Sequence, residues 1–595
     1  MMFLHARSRP AAAAALLTLV FLSPSSSCTA APTPPETRVA TVTDTVHGHV
    51  IEDPYRWLED FESEEAQAWI GAQRSYMDEV LGSNPDREAI RARLDELFQI
   101  PHLGTMAKDG DRVFFLRRDP ENEQEVLYYQ DGLDGEPVLL IDPDALGGDT
   151  HVVLDWWYPS PDGALLSYGL SEDGNEASVL HVMQVDTGEL LPDRISNTRM
   201  ASLAWERDGK GFHYTRFPFE GEVPDDELLF HRSIYYHELG ADPSDDPLVY
   251  SSEDMYAWPG VSLSTNGRWL ILYVYRGYTR NDLYVKDLLG DGPPVPIAEG
   301  IDARFSGFAI DDRFYLMTTH EAPNWKLLTV DLNTPSRENW KPLVEESEHA
   351  LQTFLVADDY LLVQYLEDAK SVIKVFTTDG EYLHDVPIPE VCTVYDWTCD
   401  WREPDVLILL SSYLTPPSSF HYNITTKELS PFKTVEAPID RSLYVEKQVW
   451  VTSADGTRFP MFLVHRKDLE LDGSNPTLLN GYGGFNSSTS PGFARNRFLW
   501  MERGGVYADA CLRGGGEYGD EWHRAGMLEN KQNSFDDFIA AAEWLADNGY
   551  TNPEKLAVWG GSNGGLLIGA FITQRPGMAG AAICDVPLLD MVRFH

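Results

Sequence analysis

Lys555-Leu-Ala-Val-Trp-Gly-Gly-Ser-Asn-Gly-Gly-Leu-Leu-Ile-Gly-Ala-Phe-Ile572 joins an apolar run of strand length to an apolar run long enough to begin a buried helix. The turn between them contains the pattern G-x-S-x-G, formed by Gly560, Ser562 and Gly564. This pattern is typical of a nucleophile elbow, a strained strand-to-helix turn that exposes a serine Oγ. The flanking glycines suit a turn with positive φ and a close approach of helix to strand, since both exclude a Cβ. Ser562 is therefore the predicted nucleophile.

The place of this turn in the chain is the second informative feature. Enzymes built on such an elbow carry their acid and histidine after the serine, whereas the printed chain ends at His595. We therefore expect the front part of a serine hydrolase whose acid and base lie further on. The alternative is a glycine-rich turn that holds a serine by accident.

Composition limits the other possibilities. With 595 residues, of which 43% are hydrophobic, the chain has enough apolar material for a large core and more than one domain. Its net charge of −48 argues against nucleic acid and anionic membrane surfaces as partners, because both repel an acidic protein. We interpret the acidic excess as a strongly solvated surface.

The first thirty residues have the pattern of a secretory signal peptide. Arg7 and Arg9 form a basic region, residues 11–22 are apolar, and small residues precede Ala31. This predicts a secreted or periplasmic protein. Cys28 is a possible lipid anchor, although the serines before it match a lipoprotein signal poorly. No other segment approaches the length of about eighteen apolar residues that a transmembrane helix needs.

Cysteine and histidine spacing gives no metal site. The four cysteines after Cys28 are too few for a disulfide framework in a chain of this size. Cys392 and Cys399 are close enough in sequence to pair, but spacing alone does not decide whether they do. There is no C-x-x-C and no H-E-x-x-H, so the spacing gives no support for a metal site.

Between about residues 100 and 440, short β-rich runs recur, most of them after a polar turn such as Ser160-Pro-Asp-Gly163. Successive runs begin roughly 45 to 58 residues apart, a period that indicates six or seven blades of a β-propeller. A pair of β-sandwiches is the structural alternative. The runs are Arg112-Val-Phe-Phe-Leu116, Ala164-Leu-Leu-Ser-Tyr168, Gly211-Phe-His-Tyr-Thr215, Trp269-Leu-Ile-Leu-Tyr273, Phe314-Tyr-Leu-Met-Thr318 and Tyr360-Leu-Leu-Val-Gln364.

The flanking regions have different patterns. Residues 57–98 show helical periodicity, and from about residue 445 strands alternate with helices, as in βα units around a parallel sheet. Residues 534–548 predict an amphipathic helix, with Ser534 as its cap and Phe535, Phe538 and Leu545 on its apolar face.

Residues 37–595 resemble the prolyl oligopeptidase family of serine peptidases. The pair Ser562-Asn563 resembles the prolyl branch more than oligopeptidase B or the dipeptidyl peptidases. Besides the elbow, the stretches that carry the resemblance are Glu52-Asp-Pro-Tyr-Arg-Trp-Leu-Glu-Asp60, Gly481-Tyr-Gly-Gly-Phe-Asn486, Arg513-Gly-Gly-Gly-Glu-Tyr-Gly519, Asn530-Lys-Gln-Asn533 and Leu589-Asp-Met-Val-Arg-Phe-His595.

The resemblance implies an α/β-hydrolase domain, incomplete at its C-terminal end, with an inserted N-terminal seven-bladed β-propeller. After the signal peptide, residues 31–100 would be a helical segment that packs on the hydrolase domain. Residues 101–440 would form the propeller, and residues 441–595 the catalytic domain.

The resemblance also implies roles for individual residues. Ser562 matches the nucleophile. Tyr482 matches a tyrosine whose hydroxyl donates to the oxyanion, with the backbone N–H of Asn563 as second donor, unless Tyr482 is an aromatic that only packs. Phe485 matches a wall of the pocket for the proline ring, with plain core as the alternative. We expect the loop 513–519 to be structural.

In the resembling family the catalytic Asp and His, a tryptophan that stacks on proline and a substrate-binding arginine all correspond to positions beyond His595. Neither Asp585 nor Asp590 matches the acid, and neither His523 nor His595 matches the base. We therefore expect the 595 residues alone to be inactive or nearly so, since an unassisted serine is a weak nucleophile.

The function implied is hydrolysis of short proline-containing peptides on the C-terminal side of proline, through an acyl-enzyme and by a monomer without cofactor. Two alternatives stay open. One is a related oligopeptidase that prefers another residue at P1. The other is a non-catalytic propeller protein that binds peptides.

Overall fold

The computed structural model describes residues 33–148 and 150–593. The predicted signal peptide, Cys28 and His595 lie outside these residues. The chain divides into two compact units, Met1–Ala92 and Arg93–His595. In the described part of the chain, no helix combines the length and apolar character needed to cross a membrane.

The first unit contains a β-hairpin followed by helix. Strands β1 (Val42–Val46) and β2 (His49–Asp53) pair antiparallel and precede α1 (Glu64–Gly82) and the start of α2 (Arg87–Phe98). Ser63 caps α1 by accepting a hydrogen bond from the N–H of Ala66 at 3.2 Å. The helices follow the predicted periodicity, whereas the short hairpin carries no alternating apolar pattern. Packing of this segment on the hydrolase domain stays a prediction.

The second unit begins with seven four-stranded antiparallel sheets, each built from consecutive strands. The first four sheets contain β3 (His102–Asp109), β4 (Arg112–Arg118), β5 (Val126–Asp131), β6 (Val138–Ile141); then, after α3 (Pro143–Leu146), β7 (Val152–Pro159), β8 (Leu165–Glu172), β9 (Val179–Gln184), β10 (Leu190–Ile195); β11 (Leu203–Trp205), β12 (Gly211–Arg216), β13 (Ser233–Glu238), β14 (Leu248–Tyr250); and β15 (Trp258–Leu263), β16 (Trp269–Tyr275), β17 (Asn281–Asp287), β18 (Val295–Ala298). The other three contain β19 (Phe305–Ile310), β20 (Arg313–Thr318), β21 (Lys326–Asp331), β22 (Lys341–Val344); β23 (Ala350–Ala357), β24 (Tyr360–Glu367), β25 (Lys370–Thr377), β26 (Tyr382–Asp385); and β27 (Thr393–Cys399), β28 (Asp405–Ser411), β29 (Ser418–Asn423), β30 (Glu428–Lys433).

These sheets are the blades of a seven-bladed propeller, so the propeller prediction is confirmed and the sandwich alternative is wrong. Each of the six runs found in the sequence falls in the second strand of a blade, a strand buried along most of its length. The seventh such strand, β28, was not among the runs. The turn that precedes it, at residues 400–404, contains no glycine and so lacks the signal that marks most of the others.

Side chains join the first blade to the seventh. Because each blade comes from one continuous segment, no strand among the residues that the structure describes bridges the two. Instead the N–H of Met106 donates to Asp396 Oδ2 at 2.6 Å and the N–H of Lys108 donates to Thr398 Oγ1 at 3.0 Å. Cys399 and Cys392 in this last blade are free thiols, so they form no disulfide here.

The remaining residues form a six-stranded sheet in the order β31-β32-β34-β33-β35-β36, in which the last four strands are parallel. Helices cover the sheet, and its core lies between strands β32–β35 and helices α6 and α7. The elements are β31 (Tyr444–Thr452), β32 (Arg458–Arg466), β33 (Thr477–Gly481), α4 (Arg495–Glu502), β34 (Val506–Ala510), α5 (Gly519–Arg524), α6 (Gln532–Asp547), β35 (Leu556–Gly561), α7 (Asn563–Gln574) and β36 (Ala581–Asp585).

Helix α6 corrects one prediction. It begins at Gln532, so Ser534 lies inside its first turn rather than capping it. The buried Ser534 hydroxyl instead donates to the carbonyl of Arg513 at 2.7 Å. The predicted apolar face is otherwise present, with Phe538, Ile539 and Leu545 buried in the core.

Arg513 anchors the loop 513–519 to α6. Its guanidinium binds Asp537, with Nη2 2.6 Å from Oδ1 and Nε 2.9 Å from Oδ2, and both side chains are almost fully buried. Asp455, which is half exposed, is a further partner, and the Arg513 guanidinium lowers the pKa of Asp455 to about 2. These contacts give the loop the structural role expected of it.

Replacement of Asp537 by alanine is expected to lower the free energy of unfolding by about 3–5 kcal/mol, because it leaves a buried guanidinium without its main partner. The matched change Asp455→Ala removes a half-exposed partner and is expected to cost about 1 kcal/mol or less. Urea denaturation of both variants measures this difference. Equal losses would contradict the assignment of Asp537 as the main anchor.

Candidate active site

Ser562 occupies the turn between β35 and α7, as the pattern predicts. Its backbone has φ 55° and ψ −116°, a conformation that non-glycine residues rarely adopt. The N–H of Ser562 donates to the carbonyl of Asp585 at 2.8 Å, which holds the turn against the end of β36. The side chain is exposed, and its Oγ has no hydrogen-bond partner within residues 33–148 and 150–593. The strained turn therefore presents a free hydroxyl.

The glycines around Ser562 are required by close approach. A Cβ on Gly560 would lie 2.4 Å from the carbonyl oxygen of Gly564, and one on Gly564 would lie 2.7 Å from that of Gly481. A Cβ on Gly565 would meet Pro587 at 2.6 Å. None of these three glycines has a positive φ, which belongs to Ser562 itself. The close approach that the sequence predicted for these glycines is therefore confirmed, whereas the predicted positive φ of the glycines is wrong.

Asn563 ties the elbow to the loop after β33. Its buried side chain donates through Nδ2 to the carbonyl of Tyr482 at 2.7 Å. As the first residue of α7, its backbone N–H has no acceptor among the described residues. A free N–H beside the serine, at the positive end of a helix, is suited to bind developing negative charge.

Tyr482 directly follows β33 and lies beside the elbow. Its Cδ2 would be 3.5 Å from a Cβ placed on Gly564, so the ring packs near the glycine two residues after Ser562. The next residue, Gly483, has φ 64°, and this left-handed step turns the chain away from the sheet. The geometry brings Tyr482, Asn563 and Ser562 together, and the role of Tyr482 as an oxyanion donor stays a prediction.

Lys531 also holds the loop after β33 in place. This lysine was not singled out from the sequence. Its Nζ donates to the carbonyl of Gly483 at 2.6 Å. Burial lowers the pKa of this lysine to about 8. The only sequence signal for Lys531 was its position in the stretch Asn530-Lys-Gln-Asn533. Its partner, Gly483, is 48 residues away in the sequence. Lys531 and Asn563 thus hold the carbonyls of Gly483 and Tyr482.

Replacement of Lys531 by methionine is expected to lower kcat about tenfold and to change KM little, because loosening the loop misplaces Tyr482 without removing a substrate contact. Steady-state kinetics of the full-length natural protein measure this. Lys555→Met, at an exposed lysine before β35, is the matched control and is expected to retain full activity. An unchanged kcat in Lys531→Met would contradict the positioning role.

Phe485 is not a core residue. Its side chain is 44% exposed, and its backbone has φ 54°. Its ring packs edge-to-face on Tyr278 of the propeller, with ring centroids 5.0 Å apart. The alternative of plain core is therefore wrong, and its role as a pocket wall stays a prediction.

The propeller contacts the hydrolase domain close to these residues. The N–H of Asp520 donates to the carbonyl of Pro323 at 2.8 Å, and the hydroxyl of Tyr518 donates to Asp368 Oδ1 at 3.2 Å. On another loop, the hydroxyl of Tyr413 donates to the buried Asp509 at 3.0 Å. The propeller thus contacts the hydrolase domain at all three of these places.

His523 and Asp585 have other roles than acid or base. His523 is buried, and its Nδ1 lies 2.9 Å from the backbone N of Asn486 and 2.8 Å from the carbonyl oxygen of Gly514. Burial lowers the pKa of His523. The carboxylate of Asp585 accepts a hydrogen bond from Trp559 Nε1 at 2.6 Å. Neither forms a hydrogen bond with Ser562 Oγ, in agreement with the sequence interpretation.

Two family models match the chain. One describes the prolyl oligopeptidase N-terminal β-propeller domain and matches residues 34–435; the other describes the prolyl oligopeptidase family and matches residues 491–595. Among curated proteins, a prolyl endopeptidase of Elizabethkingia meningoseptica is 33% identical over 565 residues, covering 94% of this chain and 80% of the relative. A dual function macrocyclase-peptidase of Galerina marginata is 30% identical over 590 residues, with 92% and 79% covered.

Solved structures of prolyl endopeptidases and oligopeptidases are also similar to this chain. One from a study of two prolyl endopeptidases and their inter-domain dynamics is 40% identical with a TM-score of 0.91, covering 95% of this chain and 84% of that chain. Prolyl oligopeptidase B from Galerina marginata bound to a 25-residue macrocyclization substrate is 26% identical with a TM-score of 0.87, covering 94% and 83%. Its apo form gives a TM-score of 0.72.

Proposed function

Since this chain belongs to the prolyl oligopeptidase family of serine peptidases, we propose that it hydrolyses short peptides on the C-terminal side of proline with Ser562 as the nucleophile. The observation that carries this proposal is the exposed, strained serine beside a free helix N-terminal N–H and Tyr482. Relatives at 33% and 32% identity are named prolyl endopeptidases, which supports the proposal.

In the proposed reaction, Ser562 Oγ attacks the carbonyl carbon of the proline residue and forms a tetrahedral intermediate. The hydroxyl of Tyr482 and the N–H of Asn563 donate to the oxyanion. Asn563 has a second task, because its side chain also holds the carbonyl of Tyr482 and so links the two donors. Collapse breaks the C–N bond, and the C-terminal part leaves as an amine that takes up a proton in place of the one lost from Oγ. Water then attacks the acyl-enzyme, which releases the proline carboxylate and restores the Ser562 hydroxyl.

Phe485 forms an apolar wall near this centre in the proposed complex. A flat aromatic side chain suits the ring of proline, and its contact with Tyr278 fixes it from the propeller side. The propeller above the hydrolase domain would limit substrates to short, unfolded peptides. The signal-peptide pattern of residues 1–30 supports a secreted or periplasmic location, and cell fractionation tests it.

The test is a panel of peptides that differ only in the P1 residue, incubated with the full-length natural protein. Mass spectrometry identifies the bond that is cleaved and shows whether each product is linear or cyclic. Cleavage after proline at least tenfold faster than after alanine, lysine or arginine supports the proposal. Faster cleavage after a basic or small residue would show a related oligopeptidase of other specificity.

A further inference from the structure

A polar cavity of about 330 Å³ lies between the propeller and the hydrolase domain. Its walls include Arg304, Ser306 and Thr353 from the propeller and Asn486 and Gly516 from the hydrolase domain. Asn486 directly follows Phe485, the proposed wall of the substrate pocket. Its volume is within the range of small-ligand sites, roughly 300–1,000 Å³.

Arg304 is an uncompensated cation in this cavity. Its guanidinium makes no hydrogen bond and no ion pair with any residue in the described part of the chain, and burial lowers its pKa. The ring of Trp325, whose centroid is 4.8 Å from the guanidinium carbon, holds it in place. Asp520 attracts Arg304 from a distance, but its carboxylate is already paired with Arg524 at 2.6 Å. The guanidinium is therefore free to bind an anion.

The rest of the lining matches an anion. Of the described residues that line the cavity, none is Asp or Glu, although the protein contains 94 acidic and 46 basic residues. Ser306, Thr353 and Tyr275 also line this space, and each has a hydroxyl group that is a hydrogen-bond donor. A donor-rich cavity without carboxylates is an exception in so acidic a protein, and it favours a negatively charged ligand.

We propose that this cavity is a subsite for a carboxylate of the peptide substrate, bound by Arg304. The inference rests on the proposed function, because the carboxylate is presented by a peptide whose proline lies at Ser562. The carboxylate comes either from the free C-terminus of a short peptide or from a Glu or Asp side chain. Both carry the same chemistry, and a charge-assisted pair with a guanidinium binds either.

The experiment compares kcat/KM for matched peptides cleaved by the full-length natural protein. One pair has the same sequence with a C-terminal carboxylate or a C-terminal amide. A second set of amidated peptides carries Glu or Gln at successive positions around the proline. We expect the charged member of at least one pair to be cleaved about tenfold more efficiently, mainly through a lower KM.

Arg304→Gln is expected to abolish this preference while leaving the neutral peptides cleaved as before. Arg194→Gln, at an exposed arginine on the edge strand β10, removes the same net charge and is expected to keep the preference. Arg304→Lys retains a cation and is expected to keep part of the preference for the charged peptide.

Equal cleavage of charged and neutral peptides by the unaltered protein would overturn the inference, and this comparison needs no variant. A preference that persists in Arg304→Gln would overturn it as well. Failure to cleave any proline peptide would instead contradict the proposed function, so the two failures are distinguishable.

Discussion

Replacing Ser562 by alanine is expected to lower kcat on a proline-containing peptide by about 10⁶, the size of the loss when the nucleophile of subtilisin is removed. The reason is that no acyl-enzyme forms without Oγ, whereas the backbone N–H of Asn563 and the rest of the site stay in place. Single-turnover and steady-state kinetics of the full-length natural protein measure the effect.

The variant is expected to bind the peptide with unchanged Kd, because Ser562 Oγ makes no hydrogen bond with the described residues of the free protein. Ser336→Ala, at an exposed serine of the propeller, is the matched control and should retain full kcat. A Ser562→Ala protein that cleaves within tenfold of the original rate would show that another residue is the nucleophile.

Tyr482→Phe is expected to lower kcat by about 10²–10³ with little change in KM, the cost of losing one oxyanion donor. The ring still packs beside Gly564, and the carbonyl of residue 482 still accepts from Asn563, so the loop is expected to keep its position. The decrease in kcat is then caused by the removal of the hydroxyl alone.

Tyr278→Phe removes a phenolic hydroxyl from the ring that packs on Phe485 and leaves that ring contact in place. It is the matched control and is expected to keep kcat within about twofold, since its hydroxyl is not a proposed donor to the oxyanion. A kcat in Tyr482→Phe equal to that of the control would mean that Tyr482 only packs, which was the alternative left open by the sequence.

Local features were predictable from the sequence. The elbow depends on residues within a few positions of Ser562, and the glycines that allow its close contacts are part of the same pattern. The propeller was predictable because each blade repeats a turn followed by a buried strand. The strand β28 was missed although it is apolar; the turn before it lacks glycine, but so do the turns before β20 and β24, which were found.

Features that depend on distant parts of the chain were not predictable. The bond from Lys531 to Gly483 spans 48 residues, and nothing near either residue marks it. Arg304 and Asn486 line one cavity although they belong to different domains, so only the folded chain brings them together. The helix α6 begins before Ser534 because this serine is used to bind the carbonyl of Arg513, a tertiary contact that overrides the capping preference.

The most direct test of the central claim is covalent labelling of the full-length natural protein by a peptidyl phosphonate diester whose P1 residue is proline. A reagent with alanine at P1 is run in parallel, and peptide mapping by mass spectrometry locates the adduct. The account predicts one adduct, on Ser562, formed faster with the proline reagent than with the alanine reagent. An adduct on another side chain, or none at Ser562, would contradict it.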